Sequence, residues 1–528
     1  MSIIGKVYAT AEYPSTPVGF YFWTKESGLL NPFDIVKADN AYAVVESISH
    51  TSDAPSLLAE YYSNGMGNPE SLSDVERVKM TSVWARLLVR FDNTGGVLND
   101  FSPVAVGTKV ETCKDTNEIC KALQMPEDGI PVGSISMYNG DKALIVPLRI
   151  DKKFLIGPDS AHVNVSGISG LAAKTSYLMF LLNAIRQKDA DNDTAFIIFN
   201  VKGKDLMNIS RKSEMLENEQ EERLIRAYRG LGLKTEPICN VTYFVPGGKN
   251  YGEAKEYEFT LEECKDELKF FFEDDDSGTM ESCCEYVIGK IGDKVSDWDG
   301  LLDKDSYVET NDGGKNISGI QDRSWDKFLR VLRTRIKSSA AKDMFVKVLS
   351  GYDLSNYIRD EIKGGDTMVV DVAPLDNGNQ SFVFGTVLQA AVKLMEEKRR
   401  DNNVNPVPSK IIFFFDELNK YVSSDSYFPA LKSLLLDITE RGRSLGLILF
   451  GAEQFLSAIH PRIKGNCATF VYGRTPMSEL AASDFSGLPN TYRNMIPGLT
   501  PGQMVFCNAS LRAPVRIEFP EEVFEREK

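Results

Sequence analysis

Histidine is nearly absent from this 528-residue chain: three occur, at His50, His162 and His460. Its eight cysteines include no C-x-x-C pair. A zinc site built from cysteine and histidine, or a histidine-based catalytic triad, therefore has little to draw on. Long apolar runs are missing as well. The longest, such as residues 411–415 and 445–450, fall far short of the ~20 residues that cross a bilayer, so no membrane association is expected. The opening Met1-Ser2-Ile3-Ile4-Gly5-Lys6 lacks the charged and apolar regions of a secretory signal, and the expectation is a reduced, cytoplasmic protein. Basic charge is also in deficit, with 60 Lys and Arg against 75 Asp and Glu and a formal net charge of −15. A chain of this sign does not coat nucleic acid or an anionic membrane through its overall field. Any contact with DNA must come from a local basic stripe.

What is present is ordinary globular material: 42% hydrophobic, 10% aromatic and 26% charged residues. At roughly 150 residues per domain, the length allows three or four domains. Residues 1–150 hold short β-like runs at 5–11, 19–23, 41–47, 83–91 and 143–148, separated by Gly, Asn, Asp and Pro clusters, which predicts a small β-barrel or sandwich. From about 154 the texture changes. Apolar runs at 154–157 and 162–165 lead into a Gly/Ser/Ala turn, then a helix near 176–186, then the apolar strand 195–200. Strand, glycine turn, helix, strand is a βαβ unit and implies a mainly parallel sheet. Residues 206–344 are charged and read as a mainly helical insertion, with an acidic run at 273–276 and a polar stretch at 309–318. The α/β pattern resumes at 367–372, 381–400, 411–415, 428–441 and 447–450, followed by apolar runs at 468–472 and 504–508.

Three segments carry chemistry. The first is Ser166-Gly167-Ile168-Ser169-Gly170-Leu171-Ala172-Ala173-Lys174-Thr175. Small residues before a helix N-terminus let backbone N–H groups wrap phosphate oxygens, a lysine reaches the outer phosphates, and a hydroxyl meets Mg²⁺. The register departs from G-x-x-x-x-G-K-[ST]: Ile168 and Ala173 stand at the two glycine positions, and the glycines lie seven and four residues before Lys174. The competing reading is an ordinary βα turn. The second segment is the apolar strand Ile411-Ile412-Phe413-Phe414-Phe415 ending in Asp416-Glu417. Asp416 suits Mg²⁺ and Glu417 suits polarising an attacking water, unless the acids merely open a helix. The third runs from Arg441-Gly442-Arg443 through the next apolar strand to Gln454, which could sense the terminal phosphate. The two arginines could serve a neighbour's phosphate or simply end a helix.

The order of these segments, with Phe199-Asn200-Val201-Lys202-Gly203-Lys204-Asp205 and Asp416-Glu417-Leu418-Asn419, resembles the HerA-type ATPases of the HerA/FtsK branch. The resemblance implies an α/β fold: a RecA-like P-loop core in 151–205 and 345–528, an N-terminal β-barrel (HAS-barrel-like) domain in 1–150, and the insertion 206–344. It implies a homo-hexamer that hydrolyses ATP with Mg²⁺ and moves double-stranded DNA through a central pore beside a separate nuclease or other effector, in DNA processing or anti-phage defence. Carried over, Gly167, Ser169, Gly170, Leu171, Ala172, Ala173, Lys174, Thr175 and Ser176 bind the nucleotide, and Thr175 and Asp416 hold the metal. Lys174, Glu417, Gln454 and Arg441 or Arg443, the latter two acting in trans, are the catalytic set. Arg330, Arg333 and Lys337 on one helix face, or Lys202 and Lys204, are candidate pore residues, against the simpler reading of a solvated basic face. The alternative function is a ring-forming scaffold that binds nucleotide, turns it over little and activates a partner.

Overall fold

A computed structural model describes residues 3–25, 28–63, 65–68, 70, 77–168, 170, 174–213, 218–273, 278–309, 318–400, 407–425 and 429–525. The chain forms two compact units, one of residues 1–151 with 474–519 and one of 152–473 with 520–528.

In the first unit, alternating side chains make a closed sheet. Strand β2 (Gly19–Thr24) buries Phe20 and Phe22 while Trp23 faces out, the period-2 pattern of a sheet with one wet face. With β1 (Ile3–Tyr8), β3 (Ile35–Ala38), β4 (Ala41–Ser52), β5 (Lys79–Phe91), β6 (Val97–Leu98) and β7 (Lys109–Thr112), it runs in the order β2-β1-β7-β3-β4-β5-β6. An added antiparallel pairing of β2 with β5 closes the ring, which removes the free edges of an open sheet. The expected N-terminal barrel is therefore present. The run at 143–148 lies elsewhere: β8 (Ile130–Met137) and β9 (Leu144–Ile150) form a hairpin that continues through Val515–Glu518 and Gln503–Asn508. Residues 474–519, read from sequence as ATPase core, thus group with the N-terminal unit. Tyr492 shows why: its ring stacks on Phe33 at 3.7 Å and its hydroxyl donates to the Val45 carbonyl at 3.0 Å.

The second unit is built on parallel strands. Strands β10 (Val163–Ser166), β11 (Thr194–Asn200), β12 (Val241–Pro246), β13 (Lys255–Tyr257), β14 (Thr367–Asp371), β15 (Lys410–Asp416), β16 (Leu447–Glu453) and β17 (Thr469–Tyr472) lie in the order β13-β12-β14-β11-β15-β16-β10-β17. Every resolved pairing among them is parallel. The central strands are apolar on both faces because both are covered. The helix Lys174–Lys188 buries Tyr177 through Ile185, and Asn377–Arg400 and Ala430–Leu445 are further covering helices. The latter ends at Gly446, whose φ of 82° suits glycine and where a Cβ would meet the Ser409 carbonyl at 2.2 Å. The apolar run at 154–157 is not a strand; Lys152–Leu155 is a short helix.

Among the described residues of 206–344 the regular structure is mainly helical, but the segment is also part of the core sheet. It supplies β12 and β13 to the parallel sheet, β12 pairing with β14. Its aromatic residues also join the core: Phe271 stacks on Phe382 at 4.2 Å, Trp325 and Phe328 are fully buried, and Phe270 packs where a Cβ on Gly385 would stand. Charged residues dominate its composition, but the buried aromatics decide its place. Most of the acidic run at 273–276 and of the polar stretch at 309–318 lies outside the described residues.

Candidate functional site

The C-terminal ends of β10, β15 and β16 meet at one edge of the parallel sheet. Ser166 is in register with Glu453, and Asp416 with Ala452. Ligands of open α/β folds bind at this edge. The turn after β10 reaches Lys174, first residue of a 15-residue helix, so the positive end of the helix dipole faces the same space. Gly167 and Gly170 carry φ of 152° and 78°, which suits glycine there. Ser169, Leu171, Ala172 and Ala173 lie outside the described residues. Ser176 sits in the first turn of the helix.

Lys174 is 7% exposed and its Nζ donates to the Gly167 carbonyl at 2.7 Å. Burial lowers its pKa from the ordinary lysine value, offset in part by the fields of Asp416, Glu453 and Glu417. The Thr175 hydroxyl lies 3.5 Å from the Asp416 carboxylate. A hydroxyl and a carboxylate facing each other form an oxygen pair suited to Mg²⁺, which prefers few protein ligands and keeps its waters. Glu417 has φ 60° and ψ 44°, a left-handed conformation costing about 1–2 kcal/mol for a residue with a Cβ. That turn carries the chain out of the strand directly after Asp416, and local strain of this kind clusters at functional sites.

The structure brings Lys174, Thr175, Asp416 and Glu417 together. It adds Lys202, whose Nζ is 2.7 Å from Glu417 Oε1 and 3.7 Å from Asp416 Oδ2. Burial works against its charge, but the bond to Glu417 and the fields of both acids raise its pKa overall. Lys202, one of the candidate pore residues, pairs with the two acids, and Lys204, the other in that loop, lies 4.3 Å over the Tyr251 ring. Glu453 also escaped the sequence reading, although it ends an apolar strand as Asp416 does. It is fully buried beside Asn164, and burial pushes its pKa well above the usual range. Gln454 follows one residue after β16 and is half-buried.

Arg441 and Arg443 lie at the other end of the sheet, before β16 begins. Six residue steps at ~3.3 Å separate the two ends of that strand, so roughly 20 Å of sheet stands between these arginines and the acids of the same chain. Arg441 pairs with Asp437 at 2.7 Å, and Arg443 donates to the Asp159 carbonyl at 2.8 Å. They line a cleft of about 470 Å³ with Glu396, Leu434 and Glu440. On the helix Asp322–Ile336, Phe328, Leu332 and Ile336 are buried and Arg330 and Arg333 exposed, but Lys337 pairs with Asp299 at 2.6 Å.

Just before β10, the buried His162 accepts a hydrogen bond at Nδ1 from the Leu449 N–H at 3.0 Å. Burial lowers its pKa to about 4, against about 6.5 in an unfolded chain. The unfolded chain therefore binds the proton first. Stability supplied by the neutral ring is complete above pH 6.5 and drains away as pH falls to 4, by about 3 kcal/mol. Urea titrations across this window should show the loss, and His162→Gln should remove that part of the slope. An unchanged slope in the variant excludes His162 as the cause.

Among the described residues, no group of three or more His, Cys, Asp and Glu is placed to hold a metal ion, and no helix is long and apolar enough to cross a membrane. All eight cysteines are free thiols.

No protein-family model matches the chain, and no curated protein matches it. The fold is similar to that of the bacterial conjugative coupling protein TrwBdeltaN70, with 10% identity over 70% of this chain and 87% of that one and a TM-score of 0.44. It is similar also to VirB4 of Thermoanaerobacter pseudethanolicus, with 14% identity over 75% and 96% of the two chains and a TM-score of 0.42.

Proposed function

We propose that this chain is an ATP-hydrolysing motor subunit of the HerA type, acting as a homo-hexamer on double-stranded DNA beside a separate effector such as a nuclease. The observation that carries the reading is the convergence of Lys174, Thr175, Asp416 and Glu417 on one helix N-terminus at the C-terminal edge of a parallel sheet. Lysine and backbone N–H groups of the turn from Gly167 to Ser176 hold the phosphates of ATP. Thr175 and Asp416 hold Mg²⁺, which supplies neutralising charge to the phosphates when bound. Glu417 accepts the proton of the attacking water, and Gln454, at the end of β16, orients that water or the terminal phosphate.

The placement of Arg441 and Arg443 at the far end of the sheet supports a role on a neighbouring subunit's nucleotide, which a ring provides. The closed sheet of the N-terminal unit supports the HAS-barrel assignment. With Lys202 and Lys204 otherwise engaged, Arg330 and Arg333 are the better candidates for a DNA-facing surface. Eight free thiols suit a reducing, cytoplasmic setting. The effector's identity separates DNA processing from anti-phage defence and is read from what copurifies.

The test is steady-state ATP turnover of the full chain with Mg²⁺, with and without double-stranded DNA, together with its mass in solution with and without ATP. Mg²⁺-dependent turnover and an assembly larger than a monomer are expected. Nucleotide binding without turnover under every condition would replace the motor by the scaffold reading. A strict monomer with ATP would remove the trans role of the arginines.

A further inference from the structure

The two acids of the site are held by a lysine that no phosphate-binding motif calls for. Lys202 reaches both, at 2.7 Å from Glu417 and 3.7 Å from Asp416. Its position is built by its neighbours. Asn200, at the end of β11, donates to the Gly203 carbonyl at 2.9 Å and to Asp371 Oδ1 at 2.8 Å, and its own amide oxygen accepts from the Leu206 N–H at 3.4 Å. Gly203 has φ 48°, which closes the turn tightly. The turn that presents Lys202 is thus pinned on both sides to strand ends of the parallel sheet. The Lys202 side chain remains 45% exposed, so its ammonium can reach a second partner without leaving the turn.

Charge balance says what that partner is. Lys174 and Lys202 together offset Asp416 and Glu417. A Mg²⁺-bound nucleoside triphosphate arriving beside them still carries net negative charge, concentrated on its terminal phosphate. An ammonium already against Glu417, the group proposed to activate water next to that phosphate, lies where this charge falls. An ammonium has three donors, enough for a carboxylate and a phosphate oxygen at once.

We propose that Lys202 is a second phosphate-binding lysine, bridging Glu417 to the terminal phosphate of a nucleoside triphosphate and so distinguishing triphosphate from diphosphate. The inference rests on the nucleotide-binding reading above. In this role Lys202 fixes the orientation of Glu417 and adds affinity only when a terminal phosphate is present.

The experiment measures equilibrium binding of a fluorescent non-hydrolysable ATP analogue and of the matching ADP, with Mg²⁺, to the full-length wild type, Lys202→Met and Lys202→Arg. Lys202→Met should weaken the triphosphate about 10-fold or more, the scale of one charge-assisted hydrogen bond, and change ADP less than about twofold. Lys202→Arg should recover most of the loss. Equal weakening of both nucleotides, or no change in either, overturns the proposal and leaves Lys202 a structural ion pair. Wild type that binds neither nucleotide refutes instead the reading on which it rests.

Discussion

Glu417→Gln is expected to lower ATP turnover by about 10²- to 10⁴-fold, the usual contribution of a positioned general base, while ATP stays bound. The reason lies in what the substitution keeps. Glutamine matches glutamate in shape, so the left-handed turn at 417 and the packing of Leu418 behind it persist. It still offers an amide oxygen to Lys202. What it loses is the ability to take a proton. A binding titration and a single-turnover experiment on the same preparation separate the steps: unchanged affinity with slowed chemistry is the expected pair. Turnover within a few-fold of wild type would remove Glu417 from the reaction and reduce its strained backbone to a feature of the turn.

Lys174→Ala should weaken ATP binding by at least about 10²-fold and abolish measurable turnover. The lysine is buried at the start of a helix, its amine 2.7 Å from the Gly167 carbonyl. Two charge-assisted bonds to phosphate at about 1.5 kcal/mol each account for the lower bound. Alanine is a good helix former, so the helix Lys174–Lys188 survives the change. Its neighbour Glu453 loses the charge that partly offsets its burial and moves further toward the neutral acid. Calorimetric titration with a non-hydrolysable analogue measures the affinity, and a thermal melt of the same sample shows that the fold is intact. Affinity within threefold of wild type would mean that the turn binds no phosphate and is a plain strand-to-helix connection.

These two residues were legible in the sequence because their signals are local. A Gly/Ser turn running into Lys-Thr, and five apolar residues running into two acids, each state the element in one stretch of chain. The closed barrel was legible for a similar reason: alternation such as Phe20, Phe22 against Tyr21, Trp23 is visible within six residues. The surroundings of Lys202 and Glu453 were not legible. Lys202 looks like any exposed lysine in a strand-end loop until β11 and β15 are set side by side, and Glu453 was overshadowed by the glutamine that follows it. The places of 206–344 and 474–519 were not legible either, because the pairing of β12 with β14 and the stacking of Tyr492 on Phe33 involve partners far away in sequence.

The sequence by itself determined which residues form a glycine turn, a helix and apolar strands ending in acids, since these follow from backbone freedom and from hydrophobic periods of 2 and 3.6 residues. Only the tertiary structure decided which charges meet. Strand order places Asp416 next to Thr175 and Lys202, and it sets Arg441 and Arg443 at the opposite end of the sheet from the acids of their own chain. A parallel sheet gathers all its C-terminal ends at one edge, and no local pattern in the chain records which ends become neighbours there.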